Sequence, residues 1–308
     1  MSARPYSPTS LQHFAACPYR FLLQAIHRLA PREEPEAIEL IDPLTRGGLF
    51  HDVQFEILTA LRAARLLPLT SETLPRAERM LDERLNSVAG RWREELAPAI
   101  DRVWLDGIEE IRADLREWLR RSADDPGRWT PERFELAFGL TVGGPDRDPD
   151  SSADPIQLDN LKVRGSIDLV ERAPGRALRV TDHKTGRVRA EKSFVIGGGK
   201  ILQPVIYALA AEHMLGEPVR TGRLYYCTAA GAYEDRITTI DEEARTSLRE
   251  FAAILSDALE SGFLPAAPGA GECQWCDYRR VCGPYEERRS SLKPDARLKE
   301  LRRLRSMR

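Results

Sequence analysis

Residues 163–186 read VRGSIDLVERAPGRALRVTDHKTG, two short apolar patterns joined by a turn. The first pattern covers 166–171 and the second 177–181. The connection, 172–176, contains Pro174-Gly175, a dipeptide that marks a tight reversal. This spacing predicts a β-hairpin. Ile167, Leu169 and Val170 supply packing on the first arm and Asp168 interrupts them, while Asp182, His183 and Lys184 close the second arm. Side chains alternate across a strand, so Asp182 and Lys184 project from one face and His183 from the other. With Asp168 on the matching face of the neighbouring arm, two carboxylates and one ammonium converge. Two carboxylates repel unless a proton or a cation sits between them. Oxygen ligands with open positions suit Mg²⁺ or Mn²⁺, and an adjacent lysine can hold a water or neutralise charge on a phosphate. The same residues also suit a solvated hairpin edge with a surface Asp–Lys pair. The rest of the chain has to separate the two.

A chain of 308 residues can bury a sizeable core, as one large domain or as a catalytic domain with a helical insertion. With 42% hydrophobic and 31% charged residues it reads as a soluble globular protein. No apolar run reaches membrane-spanning length, and the opening residues lack the apolar centre of a signal peptide, so the expected location is the cytoplasm and no membrane partner is expected. A net charge of -2 does not advertise a nucleic-acid binder, although a local positive groove is enough to neutralise phosphates. Residues 293–308 are basic, and Leu298, Leu301 and Leu304 recur at threefold spacing. That predicts a short amphipathic helix, either a solvated terminal element or a phosphate-contacting arm.

Ser7-Pro8 is a helix start with a serine cap, and Cys17-Pro18 ends that helix and opens another over 19–29. An acidic, proline-punctuated linker follows at 31–43. A helix opens at Arg46-Gly47-Gly48-Leu49-Phe50-His51, and amphipathic helices fill 68–121. Residues 133–140 form a strand carrying Glu135, 143–155 a mobile loop, and 187–200 a basic, glycine-rich connection on the substrate side. Gly197 to Gly199 lack the Gly-Lys-Ser/Thr ending of a P-loop, which excludes an NTPase reading. The helix over 201–215 puts Gln203 and Tyr207 on one face. Two more strands, 223–228 and 232–238, complete the sheet, with Cys227 as a small buried residue of the first. Asp241 then caps a helix through 259. Cys273, Cys276 and Cys282 are three thiolate donors short of a four-ligand set, and Cys17 is the candidate fourth. Spacing alone leaves Zn²⁺ and an iron–sulfur cluster open, and disulfides fit poorly with a cytosolic chain.

Gly165, Ile167, Asp168 and then Asp182, Lys184, as G-x-I-D followed by D-x-K, resemble the PD-(D/E)xK nuclease superfamily. The stretch SPTSLQHFAACPYRF resembles the N-terminal part of RecB-like nuclease domains that carry an iron–sulfur cluster, those of AddAB-type helicase–nucleases and of CRISPR-associated RecB-like exonucleases. The resemblance implies a restriction-endonuclease-like α/β fold, a mixed β-sheet core flanked by helices, with a helical insertion. It implies that His51, Asp168 and Asp182, with the main-chain carbonyl of His183, hold Mg²⁺ or Mn²⁺. Lys184 would orient the attacking water, Glu135 would be a secondary ligand or base, and Gln203 and Tyr207 of a Q-x-x-x-Y helix would position the water or the metal ligands. Cys17, Cys273, Cys276 and Cys282 would hold a [4Fe-4S] cluster. Such a staple joins the two ends of the chain and offsets a loop-closure cost of about 5 kcal/mol. The implied units are 1–45 with the first cysteine, 46–130 with the histidine motif, a nuclease core at 131–260, and the cysteine cluster with a basic tail at 261–308. The implied activity is metal-dependent hydrolysis of DNA, as an exonuclease on single strands or duplex ends in DNA repair or CRISPR adaptation, with a helicase or another repair or CRISPR protein as a possible partner. The alternative is an inactive, nuclease-derived DNA-binding or structural module stapled by its metal.

Overall fold

The computed structural model describes residues 4–30, 40–141, 147–175 and 177–308. The Pro174-Gly175 reversal joins β4 (Gly165–Arg172) to β5 (Leu178–Lys184), and the two pair antiparallel from Arg172↔Leu178 to Leu169↔Thr181. The predicted hairpin is present, two residues longer in each arm. Around it lies a five-stranded sheet in the order β1-β4-β5-β6-β7, with β1 at Thr130–Phe138, β6 at Val219–Tyr226 and β7 at Asp235–Thr239. Only β5 and β6 run parallel. Parallel neighbours need a crossover, and α6 (Gln203–Leu215) provides it. A two-stranded sheet, β2 (Ile156–Leu158) with β3 (Leu161–Val163), stands just before the hairpin. At three residues each, these strands are too short for the alternation that reveals longer ones, and no sequence expectation covered them.

Two apolar cores lie against the main sheet. One packs α1 (Pro8–Ala16), α6 and α7 (Glu242–Glu260) against Val170, Leu178 and Val180. The other packs α3 (Pro43–Ala63), α4 (Leu74–Leu96) and α5 (Asp101–Ala123) against Phe134, Leu169 and Tyr225. Val170 and Leu169 are consecutive on one strand, so the two cores occupy opposite faces. This is the expected mixed sheet flanked by helices. No helix among the described residues is long and apolar enough to cross a membrane.

Several boundaries move, each for a local reason. Ser7 caps α1 by accepting from the Ser10 N–H, as predicted. After Cys17, however, α2 (Pro18–Phe21) passes into a π-helical turn, Leu22–Ile26, and stops short of residue 29. The helix that carries His51 begins at Pro43 because Asp42 caps it, accepting from Leu44 and Thr45. Most of the acidic linker, 31–39, and residues 143–146 of the 143–155 loop fall outside the described residues. Helix is absent over 68–73, and Ala97 breaks the amphipathic run in a left-handed conformation. β6 ends at Tyr226, which leaves buried Cys227 just beyond it.

The basic C-terminal stretch departs most from expectation. Beyond α8 (Arg279–Cys282) and α9 (Glu286–Ser291), α10 (Asp295–Arg305) buries Leu298, Leu301 and Leu304. Arg305 donates to the carbonyls of Ala15, Ala16 and Ala267 at 2.6–2.9 Å. The chain end then bonds the glycine segment: Ile196 N–H to Arg308 O at 2.8 Å and Gly198 N–H to Met307 O at 2.9 Å. A Cβ at Gly198, where φ is +63°, would come within 2.7 Å of the Arg305 carbonyl, so glycine permits this approach. Basic residues here bind main chain as well as facing water, and the glycine-rich connection is tied down.

Candidate metal centre and groove

Side chains two apart on a strand share a face, yet Phe134 and Leu136 lie in opposite cores, and so do Ile167 and Leu169. Both strands therefore break their alternation at the residue between, Glu135 on β1 and Asp168 on β4. The flanking pairs Phe134↔Leu169 and Leu136↔Ile167 set those two residues opposite one another. Glu135 has φ +50°, a left-handed conformation that a non-glycine residue adopts at a cost of about 1–3 kcal/mol. The strain brings its carboxylate to Asp168. Ser166 donates to Glu135 Oε2 at 2.7 Å and holds it there.

On the other side of Asp168 the hairpin ladder ends. Pairing stops at Leu169↔Thr181, one step before Asp168 and Asp182 would face each other. The His183 N–H donates to Asp168 Oδ2 at 2.7 Å. Asp182 pairs with Lys184 two residues on, Nζ to Oδ2 at 2.6 Å, as the shared strand face predicts. His51, one helical turn past the Gly47-Gly48 pair of α3, lies with Nδ1 3.6 Å from Asp168 Oδ2 and 3.9 Å from Glu135 Oε1. His51, Glu135 and Asp168 each offer a ligand atom within 4.8 Å of the others. The tight trio contains Glu135, which the sequence suggested only as secondary, and excludes Asp182.

The electrostatics of this trio favour a cation. Burial, reinforced by the Asp168 charge, pushes the Glu135 carboxyl up to about 7. Burial and then the Asp182 charge raise Asp168 well above the usual carboxylate range. Burial pulls the Lys184 ammonium down, but the Asp182 carboxylate more than offsets it and the amine stays charged. Tyr207 is buried, and burial followed by the three acids raises its hydroxyl. A Cβ at Gly165 would lie 3.0 Å from the Tyr207 ring and 3.3 Å from Phe138, which accounts for the glycine of G-x-I-D. Crowded acids, one imidazole and an ammonium at the edge form a donor set suited to a hard divalent ion.

His51 carries the trio to the edge of a groove of about 1170 Å³ whose wall also includes Lys184, Arg187, Arg189, Gln203 and Arg308. Arg187 and Arg189 are exposed and have no ion-pair partner among the described residues. Their backbone is held: the Tyr226 hydroxyl accepts from the Arg189 and Ala190 N–H groups, and Arg236 donates to the Ala190 carbonyl. Gln203 is bonded to Gln12 of α1, and no hydrogen bond joins it to the trio among the described residues. Sequence reasoning passed over Gln12 and Ser166. Ser166 was within reach, being next to the glycine of the motif, whereas nothing marks Gln12 before folding brings it across 191 positions.

The family model of the PD-(D/E)XK nuclease superfamily matches residues 5–283. The chain belongs to this superfamily. The match takes in every site residue named above except Arg308, together with the four cysteines. A search of curated proteins finds no match to the chain. Membership in the PD-(D/E)XK superfamily indicates a nuclease that works with a divalent metal, and the His51–Glu135–Asp168 trio is an acidic site able to hold one.

Apart from that centre, Cys17, Cys273, Cys276 and Cys282 line a single small pocket of about 20 Å³. All four are free thiols. No three of them approach within 4.8 Å of one another among the described residues. Burial, then the Glu287 carboxylate and the neighbouring sulfurs, push the Cys273 thiol up to about 11.

Proposed function

We propose that this superfamily member is a metal-dependent deoxyribonuclease. The observation that carries the reading is the strained Glu135 turned onto Asp168 beneath His51, with the Asp182–Lys184 pair beside them at a groove lined by Arg187 and Arg189. His51, Glu135 and Asp168 would hold Mg²⁺ or Mn²⁺, with Asp182 and the His183 carbonyl completing the set. Held there, such an ion would supply positive charge for the scissile phosphate and would acidify a water. Lys184 orients the attacking water and offsets charge developing on the phosphate, and Asp182 holds the amine in place. Tyr207 packs under Gly165 and keeps the acids dry on one side. Arg187 and Arg189 take the flanking phosphates.

The second part of the reading is a [4Fe-4S] cluster on Cys17, Cys273, Cys276 and Cys282. What supports it is that the four thiols line one pocket and match in number the thiolates of such a cluster, one for each iron. Substrate choice would be single strands or duplex ends. Unwinding would come from a helicase or another repair or CRISPR-adaptation protein. Purified protein incubated with end-labelled and with circular DNA, with and without Mg²⁺ and Mn²⁺, tests the proposal. Cleavage only with metal and only from ends is expected. Metal-independent or absent cleavage would reject it.

A further inference from the structure

The amide of Gln12 on α1 lies 2.6 Å from the Lys200 carbonyl and 2.6 Å from a terminal atom of Gln203. Oxygen and nitrogen of a glutamine amide are ordinarily interchangeable by a half-turn, so its donor and acceptor ends have to be argued from neighbours. Here a main-chain carbonyl settles the matter, since it can only accept. The Gln12 atom beside it must be Nε2. That nitrogen has its second hydrogen for Gln203, so the Gln203 atom it meets must be Oε1. The oxygen of Gln203 is therefore turned toward α1, and its NH₂ points the other way.

Gln203 is buried and lines the groove wall together with Lys184. Its Nε2 has no hydrogen-bond partner among the described residues. An NH₂ group can donate to an oxygen and cannot ligate a metal ion. We infer that Gln203 contacts the substrate as a donor, through Nε2 to a non-bridging phosphate oxygen, and that Gln12 is the positioning residue that fixes this orientation. The inference rests on the nuclease reading for the identity of the substrate, but it concerns binding and needs no turnover.

Gln12→Glu provides the test. A carboxylate cannot donate to the Lys200 carbonyl or to Gln203 Oε1, so the Gln203 amide turns over and presents oxygen to the phosphate. Affinity for a fluorescent single-stranded oligonucleotide, measured by anisotropy without divalent metal, should fall about 10- to 100-fold, the worth of a hydrogen bond to a charged group. Gln203→Ala should lose a similar factor. The double variant Gln12→Leu/Gln203→Ala, which adds no carboxylate to the groove that Gln12 also lines, should be no weaker than Gln203→Ala alone, because the positioning role of Gln12 runs through Gln203. Factors that multiply in the double variant, a Gln12→Glu affinity equal to wild type, or no binding by wild type would overturn the inference. Gln12→Leu removes the donor without adding charge and leaves the Gln203 amide unfixed rather than reversed, so its loss should be smaller than that of Gln12→Glu; if Gln12→Glu does not fold, a Gln12→Leu affinity equal to wild type overturns the inference. A wild-type protein that binds in this way yet cleaves with no metal would refute the nuclease reading and leave the Gln12–Gln203 assignment standing.

Discussion

The His183 N–H donates to the Asp168 carboxylate at 2.7 Å, in the place where the antiparallel ladder of β4 and β5 has just run out. One acid of the pair thus finishes the hydrogen bonding of the strand that carries the other. Its position is set by main chain rather than by a flexible partner, which is how a ligand atom is held before any ion arrives. Asp168→Asn keeps an acceptor for His183 and removes the charge. It should retain a wild-type circular dichroism spectrum and lose divalent-metal binding in calorimetry. Asp168→Ala should lose both the binding and about 1–3 kcal/mol of stability, because a buried N–H is left without a partner.

On the proposed mechanism Lys184→Ala should lower kcat by about 10²- to 10³-fold with little change in DNA affinity, since the amine would act on charge that develops only during the reaction. Asp182→Ala should abolish cleavage. In gel-based assays beside metal-free binding, wild-type turnover in Lys184→Ala or measurable turnover in Asp182→Ala would sink the assigned chemistry.

The raised carboxyl of Glu135 makes metal binding depend on pH in a definite direction. With a folded value of about 7 against 4.5 in an unfolded chain, the native state holds the extra proton between those limits. The metal-free protein then loses stability as pH rises through that window. An ion that displaces the proton restores what was lost. The rise in Tm on adding Mn²⁺ should therefore grow from pH 5 to pH 8, with proton release on binding near pH 6.5. Glu135→Gln should raise the metal-free Tm at pH 8 and flatten both effects.

Arg187 and Arg189 project from a backbone segment pinned by Tyr226 and Arg236. Each replaced by alanine should reduce the slope of log K against log salt by about 1 for a DNA ligand, with kcat at saturation unchanged. Tyr226→Phe should weaken binding without changing that slope, because the charges remain and only their placement loosens.

Cys17→Ser should leave the acid trio in place while removing iron from the purified protein and lowering stability by at least about 2 kcal/mol. Metal analysis and thermal melting check this. Protein isolated anaerobically with zinc and no iron would contradict the cluster.

The hairpin, the shared face of Asp182 and Lys184, the serine cap and the crossover helix were all readable from the chain, because each depends on residues within a few positions of one another. Asp168 was readable as an acid in an apolar strand. What brings Glu135 to it was not: a left-handed residue inside a strand leaves no mark in an alternation pattern that looks regular on either side. Gln12, on an otherwise ordinary helix, carried no signal, since its partners lie near residue 200. The basic tail was readable as a helix but not as a packed one. Its arginine finds carbonyls, and a carbonyl is available at every position of every sequence.

The wall of the groove is held by segments far apart in the chain. Arg305 grips the end of α1 from 290 positions away, and the carbonyls of Met307 and Arg308 fasten the glycine segment. The groove therefore takes its shape only when α1 and α10 are both docked, so loosening either helix should reach the wall that faces Lys184.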